Sequence, residues 1–439
     1  MRQILLLLCA CEPDIKPAPL DSPAPEESAP PGETGLVESV STESTPPVDT
    51  DTAPPPEPHV EEETLPELAD PSDWVFNDDE VHLIDITLPS TSADSLAADP
   101  YTYVEADLLF DGIVVEDIGV RLKGKIGSFR TLSQKAAFKV DINAFIPGRE
   151  FYGVKKFNLN NMAVDYSYMK EHLHYKILRD LGLPSLRTGW AWVTVNGEAY
   201  GLYNLLEQPD QEFLEHNFAD PSGNLYDGKY IWYGGYSYTL LDFSTAVQDL
   251  YPLEEGTDVG HADIYAVTEA ISTYAGTSDY YSKVGEVVDW DMVLMYLSWE
   301  QWIGHNDGYA LNTNNNFLYF NPETGGKMVF LPWDLDYSGL YDYSWGMSWT
   351  YPRGVLAYYC MWDGGDCYND WRTHASELVS TLDIASYEAY LADMDALTEP
   401  YIADDPRKEC GVDDVNYYQF QVLSWLTHRN DYMTAFWGL

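Results

Sequence analysis

The chain has 439 residues, 45% of them hydrophobic and 14% aromatic, which is enough apolar material to bury a large core. Its 72 Asp and Glu against 23 Lys and Arg give a formal charge of −49 and a pI near 4.1. That balance argues against nucleic acid or anionic lipid as a partner, since both reward basic surface, and it makes any cluster of basic residues conspicuous. Acidity of this kind is read first as an adaptation for solubility or a saline habitat.

Met1-Arg2-Gln3-Ile4 and the run Leu5 to Leu8 precede Cys9-Ala10-Cys11. One early positive charge, a short apolar run and a small residue ahead of a cysteine read as a lipoprotein signal over residues 1–11, with Cys11 as the lipidated residue. The run is too short to span a bilayer. The expectation is an exported lipoprotein, at the cell surface or in a periplasm, that touches the membrane through its N-terminal lipid anchor. Residues 12–73 are rich in Pro, Glu, Ser and Thr, with Pro54-Pro55-Pro56 and Glu61-Glu62-Glu63, and read as a disordered, self-repelling acidic stalk. One folded domain over residues 74–439 accounts for the rest, with no repeat of solenoid period.

Residues 81–88 alternate and predict a strand; residues 104–110 and 113–122 predict a hairpin about Asp111-Gly112. A Gly-containing basic loop follows at 124–130. Lys135, Ala137, Lys139 and Asp141 then share one face of a predicted strand, and Ala136, Phe138, Val140 and Ile142 the other. A strand lysine after such a loop is an arrangement that holds phosphates; a lysine guarding an edge strand is the plainer account. Asp165-Tyr166-Ser167 caps a helix over 168–181 that carries Met169, Leu173, Ile177 and Leu178 on one face and stops at Gly182 and Pro184. Glu171, in its first turn, is a candidate partner for the strand lysine, although the helix dipole also explains an acid there. Glu207, closing a strand over 200–206, is the competing and slightly favoured partner.

Asp289-Trp290-Asp291 begins a further helix with an apolar surface of Val293, Leu294, Leu297, Trp299 and Trp302. The loop Gly304-His305-Asn306-Asp307 comes next, then a hairpin with arms 317–320 and 328–331. Because one arm leads away and the other returns, Asp307 and Asp334 come to the same end of that unit. Phosphoryl transfer needs a carboxylate at the attacking hydroxyl, and carboxylate and amide oxygens on a hard cation. Asp307, an Asn within 312–316 and Asp334 can fill those posts, while His305 reads as a backbone brace before a base. Cys360 and Cys367 can close a short loop as a disulfide in an oxidising compartment; Cys410 can pair with either, so connectivity stays open. No Cys-x-x-Cys pair points to zinc.

The run from His305 to Asn312 resembles the catalytic loop of protein kinases. Asp307-Gly308-Tyr309, Asn315-Asn316-Phe317-Leu318-Tyr319 and Pro332-Trp333-Asp334-Leu335-Asp336 together resemble the spore-coat-protein-H (CotH) kinase family more closely. Val120-Arg121-Leu122-Lys123-Gly124, Lys135-Ala136-Ala137-Phe138-Lys139-Val140, Lys156-Phe157-Asn158-Leu159-Asn160-Asn161 with Asp165, Leu181-Gly182-Leu183-Pro184, and residues 195–203 with Glu207 follow in the family's order. The resemblance runs from about Arg121 to Asp336, with a weaker match at residues 423–429. It implies an α+β, atypical protein-kinase-like bilobal fold that uses ATP and Mg²⁺ or Mn²⁺ to phosphorylate Ser/Thr of a protein substrate. Asp307 would then act on the acceptor and Asp334 would bind metal. Either Asn315, counted back from Tyr319, or Asn312, counted forward from Asp307, would assist, with Asp336 as a second ligand. Lys139, Lys135 and Arg121 would hold phosphates, with Glu207 as the lysine's partner. An exported chain meets little ATP, so a catalytically inactive surface binding or structural protein is the alternative. A carbohydrate-binding or hydrolytic protein, suggested by 34 Tyr, 14 Trp and many carboxylates, is the third reading. The sequence does not fix the acceptor or the oligomeric state.

Overall fold

The computed structural model describes residues 70–439 except 126, 229–240, 340–347 and 363–364. The predicted lipidation site at Cys11 and almost all of the predicted stalk lie outside the described residues.

Alternating apolar residues in the first half build a closed barrel of seven strands. They are β1 (Val81–Thr87), β2 (Val104–Phe110), β3 (Ile113–Lys123), β4 (Ala137–Asp141), β5 (Lys156–Asn160), β6 (Thr188–Val195) and β7 (Glu198–Glu207), in the order β1-β2-β3-β4-β5-β7-β6. All neighbours are antiparallel except β1 and β6, whose parallel pairing from Val81↔Trp190 to Ile86↔Val195 closes the ring. Ile84, Phe110, Val120, Leu122, Phe138, Val140, Phe157, Leu159 and Leu205 fill the interior. The two-residue period therefore turns Arg121, Lys123, Lys139, Asn158, Asn160 and Asn204 to the outside, and the register sets Arg121 beside Lys139, Lys139 beside Asn158, and Asn160 beside Asn204.

A second core forms on part of that outer surface. Trp190, Leu202 and Leu206 of the barrel meet Leu173, Ile177 and Leu178 of the Lys170–Asp180 helix. Asp165 starts this helix from outside its first turn by accepting the Lys170 N–H at 2.8 Å. The same core takes in the Trp290–Ile303 helix and the C-terminal helices Asp366–Thr381, Ile384–Asp404 and Val412–Trp437. It also covers a four-stranded sheet of order β11-β10-β8-β9, where β8 is Asn224–Asp227, β9 Leu253–Glu255, β10 Asn316–Asn321 and β11 Lys327–Pro332. The fold is thus mixed α and β, with a barrel and a helical part each owning a core. β10 and β11 pair from Asn316↔Pro332 to Asn321↔Lys327, and Trp333 N–H donates to the Asn315 carbonyl at 3.0 Å, so residues 315 and 333 sit side by side. Cys360 and Cys367 form a disulfide, and Cys410 is buried outside that bridge. No helix among the described residues is long and apolar enough to cross a membrane.

Two details depart from the sequence reading. Asp70 and Asp73 accept hydrogen bonds from Ser72 and Arg187, so the folded part starts a few residues ahead of Trp74. Lys135 precedes β4 instead of lying on it. Only 2% exposed, its ammonium pairs with Asp405 at 2.5 Å and donates to the Tyr168 hydroxyl at 3.2 Å, so it is not a phosphate contact. Asp405 also accepts the Leu202 N–H, and it packs so closely on β7 that a Cβ at Gly201 (φ +105°) would lie 2.1 Å from its carboxyl.

Removing one partner of a buried ion pair leaves the other charge uncompensated. Lys135→Met should therefore lower unfolding free energy in urea by about 3–5 kcal/mol. It should leave the nucleotide affinity of the folded protein unchanged, which separates the clamp from a phosphate-binding role.

Candidate active site

The Trp290–Ile303 helix begins with Asp289 accepting the Met292 N–H and ends at Gly304 in the left-handed region. Its buried Glu300 then folds the following loop back onto the helix by accepting the N–H groups of Tyr309 at 2.5 Å and Ala310 at 2.9 Å. Gly308 is required between them, since a Cβ there would lie 2.1 Å from Glu300 Oε1. This fixes Asp307, whose carboxylate accepts the side-chain amides of Asn312 (2.5 Å), Asn314 (3.3 Å) and Asn315 (3.0 Å). Burial raises the Asp307 pKa and the negative charge of Asp334 adds to it, against the amides.

The turn at 334–336 is held by its carbonyls. His305 Nε2 donates to Asp334 O at 3.1 Å, and Ser338 Oγ donates to Leu335 O while accepting from His174 Nδ1 at 2.7 Å. Lys170 Nζ donates to Asp336 O at 3.2 Å. Burial holds the His305 pKa down to about 4 and lowers that of His174, so both rings are neutral, and the single N–H of His305 is spent on the backbone. His305 is a brace here. Burial raises the pKa of both the Asp334 and the Asp336 carboxyl, and the charge of Asp334 adds to the shift of Asp336. Thr313 (φ 48°), Asn315 (φ 50°) and Asp334 (φ 53°) all occupy the left-handed region, a strain of about 1–3 kcal/mol each that clusters at functional sites.

The facing wall comes from the barrel and the Lys170–Asp180 helix. Lys123 Nζ donates to Asn160 Oδ1 and lies 5.0 Å from the centre of the Trp333 ring. Burial lowers its pKa, opposed by the charges of Asp334, Glu171 and Asp336. Glu171 is wholly buried. Its Oε2 accepts the amides of Asn160 and Asn204, both at 2.7 Å, while Oε1 has no hydrogen-bond partner among the described residues. Burial and then Asp334 push its pKa up to about 7. Beside Lys123 on the same barrel face stand Arg121 and Lys139. Burial, then the charges of Arg121 and Lys156, bring the Lys139 pKa down to about 8. Arg121, Lys123, Lys139 and Lys156 make no ion pair among the described residues, in a chain with a threefold excess of acids.

The structure thus brings Asp307, Asp334, Asp336, Asn312 and Asn315 together, and puts Arg121 and Lys139 on the barrel face that carries Lys123. It does not bring Glu207 to them. In register with Phe157, Glu207 faces away from Asn204 and Leu206, and its carboxylate takes Arg187 Nη2 at 2.5 Å and the Arg187 N–H at 2.9 Å. Glu171 is the carboxylate near a strand lysine, and that lysine is Lys123. Strand parity with Arg121 was the signal for Lys123; for Glu300 it was an acid inside the apolar run Trp299-Glu300-Gln301-Trp302. The two metal-amide candidates also separate. Asn312 is used at both ends, its Oδ1 accepting Arg353 Nη1 at 3.3 Å, whereas Asn315 Oδ1 accepts no hydrogen bond among the described residues.

The Asp334 and Asp336 carboxyls, the unpartnered Glu171 oxygen and the Asn315 amide oxygen offer only oxygen donors with surplus negative charge, a chemistry that fits a hard divalent cation. Three carboxylates do not converge there. Among the described residues only Asp70, Asp73 and His216 bring three His, Cys, Asp or Glu ligand atoms within 4.8 Å, and their acids already face Arg187. Few protein ligands plus water is the habit of Mg²⁺.

Comparison with known proteins places the chain in a family. The chain is 27% identical over 211 residues to the inner spore coat protein H of Bacillus subtilis (strain 168), covering 46% of this chain and 53% of that protein. It is 24% identical over 189 residues to the spore coat protein homolog 1 of Rhizopus delemar, covering 41% of this chain and 29% of that protein. Invasin CotH2 of the same fungus is 23% identical over 195 residues, covering 41% and 31%. The chain spans about half the length of the bacterial relative and under a third of the fungal ones. The family description "CotH kinase protein" matches residues 120–433, well over half of the sequence. The chain belongs to the CotH kinase protein family.

Proposed function

We propose that this chain is an atypical kinase that transfers the γ-phosphate of ATP to Ser/Thr of a protein, with the barrel and the helical part serving as the two lobes. The observation that carries the reading is the meeting of Asp307 with the Asp334/Asp336 turn, opposite a barrel face whose cations lack carboxylate partners. Arg121, Lys123 and Lys139 bind the phosphates. Asp334, Asp336 and Asn315 hold Mg²⁺ or Mn²⁺, which when bound neutralises charge on the phosphate oxygens. Asp307 orients the acceptor hydroxyl and takes its proton, a task favoured by its raised pKa. Glu171 positions Lys123.

The chain works outside the cytoplasm, anchored through a lipid on Cys11; the printed names of its relatives, two spore coat proteins and an invasin, support a surface location. The same names favour one second reading, a surface structural protein that keeps the fold without turnover. Mass spectrometry of the native protein should find a lipid-modified Cys11, and an unprocessed Met1 would exclude the anchor.

Paired mutants test the site. Asp334→Ala should abolish Mg²⁺-dependent ATP binding in calorimetry. Asp307→Ala should keep that binding and lose ~10²–10⁴-fold in transfer rate, the usual contribution of a positioned base. A wild type that binds neither ATP nor a divalent ion at millimolar concentration leaves the structural reading in place.

Lys139 gives a pH signature. Its pKa is depressed, so the cation is present below about 8 and is lost above it. Affinity for ATP should fall between pH 7 and 9, with proton uptake on binding near pH 8, since an anion stabilises the charged form. Lys139→Met should bind more weakly at pH 7 and lose the pH dependence; an unchanged profile would remove Lys139 from the phosphate site.

A further inference from the structure

We propose that Arg353 is a catalytic residue of this site, meeting the transferring phosphoryl group from the acceptor side of Asp307. The proposal rests on the kinase reading above. Two independent observations lead to it.

The first is attachment. Arg353 and Gly354 donate their N–H groups to the Ala310 carbonyl at 2.7 and 3.1 Å. A Cβ at Gly354 would lie 2.7 Å from the Tyr309 ring. Val355 N–H reaches Asp242 Oδ2 at 3.0 Å, the same oxygen that accepts the Tyr309 hydroxyl at 2.8 Å, and Leu356 N–H donates to that hydroxyl at 3.0 Å. The backbone carrying Arg353 is therefore stitched to the turn immediately after Asp307, although 46 residues separate the two in sequence. Glu300 fixes the same turn from beneath.

The second is charge. Asn312 holds Asp307 with its NH₂ and Arg353 with its oxygen, so one amide sets the distance between base and guanidinium. Arg353 forms no ion pair among the described residues. Arg130, Arg187 and Arg407 meet carboxylates, and Arg149 and Arg372 have several nitrogens on backbone carbonyls, whereas Arg353, like Arg121 of the phosphate-facing barrel wall, does neither. One side-chain amide away from the Asp307 carboxylate, Arg353 is met by a neutral oxygen, which leaves its charge and its remaining donors for an anion.

In the transfer, the acceptor oxygen forms a bond to the γ-phosphorus as the bond from that phosphorus to the bridging oxygen breaks. The hydroxyl proton passes to Asp307 and ADP leaves with the bridging electron pair. Charge spreads over the three equatorial oxygens of the moving group, and a forked guanidinium on the Asp307 side meets it there.

The test uses the whole chain. Arg353→Met should bind Mg²⁺-ADP within about twofold of wild type, yet bind Mg²⁺-ADP with aluminium fluoride, which imitates the planar phosphoryl group, about 10²-fold more weakly. Hydrolysis of Mg²⁺-ATP, with water as acceptor, should lose about 10²–10³-fold in kcat with KM unchanged, the order found for removal of a charge-stabilising donor. Arg353→Lys, which keeps the charge and spares the fold, should fall between the two. An unchanged aluminium fluoride affinity, or an equal loss for Mg²⁺-ADP alone, overturns the proposal. Wild type failing to bind Mg²⁺-ADP at all would instead overturn the kinase reading on which it rests.

Discussion

Four carboxyl groups, Glu171, Asp307, Asp334 and Asp336, are removed from water within range of one another's charge, and their mutual repulsion is the constraint around which the site is built. Each is shifted toward its protonated form first by burial, and Asp334 adds to the shift of the other three. A like-charge cluster of this kind persists only where cations or hydrogen-bond donors offset it. The protein supplies three amides to Asp307, two to Glu171 and two ammonium groups, Lys123 toward Asp334 and Glu171 and Lys170 toward Asp336. That compensation is partial, and a divalent ion with a polyphosphate would complete it: the ion balances the acids and the phosphates balance the barrel cations. Each half of the charge distribution thus favours binding of the other's counterpart.

Holding such a cluster requires a stiff frame, and apart from the Lys170 ammonium that frame is built of groups that are neutral or shifted toward neutral. His305, His174 through Ser338, and Lys170 take the carbonyls of 334–336, while Glu300, whose pKa burial raises to about 8, takes the N–H groups behind Asp307. Uncharged imidazoles and a carboxyl shifted toward its neutral form brace the acids without adding much to a field that is already strong. The left-handed backbone at 313, 315 and 334 is the corresponding cost, borne where three short segments must present side chains to one point.

Local rules made much of this legible. Alternation located β1 to β4, the antiparallel hairpin of β10 and β11 brought Asp307 to Asp334, and the Cys360–Cys367 loop closed as a bridge. Errors arose where long-range contacts override local pattern. The alternation of 135–141 extends two residues past the true strand start, because Lys135 is drawn out by Asp405, 270 residues away. Glu207 and Asn204 lie on one strand three residues apart, so opposite faces separate them, and only the register with β5 shows which faces the helix. Closure of the barrel by parallel β1 and β6 has no local signature, and Arg353 reaches Asn312 across 41 residues.

The Lys135–Asp405 clamp has a mechanical corollary. It pins the residue that ends the Ile384–Asp404 helix to β7 at a point where only glycine fits, so that helix end is fixed to the barrel wall. One carboxylate thus serves two elements at once, accepting the Leu202 N–H of β7 and the Lys135 ammonium ahead of β4, so its loss would loosen the barrel and the helix end together.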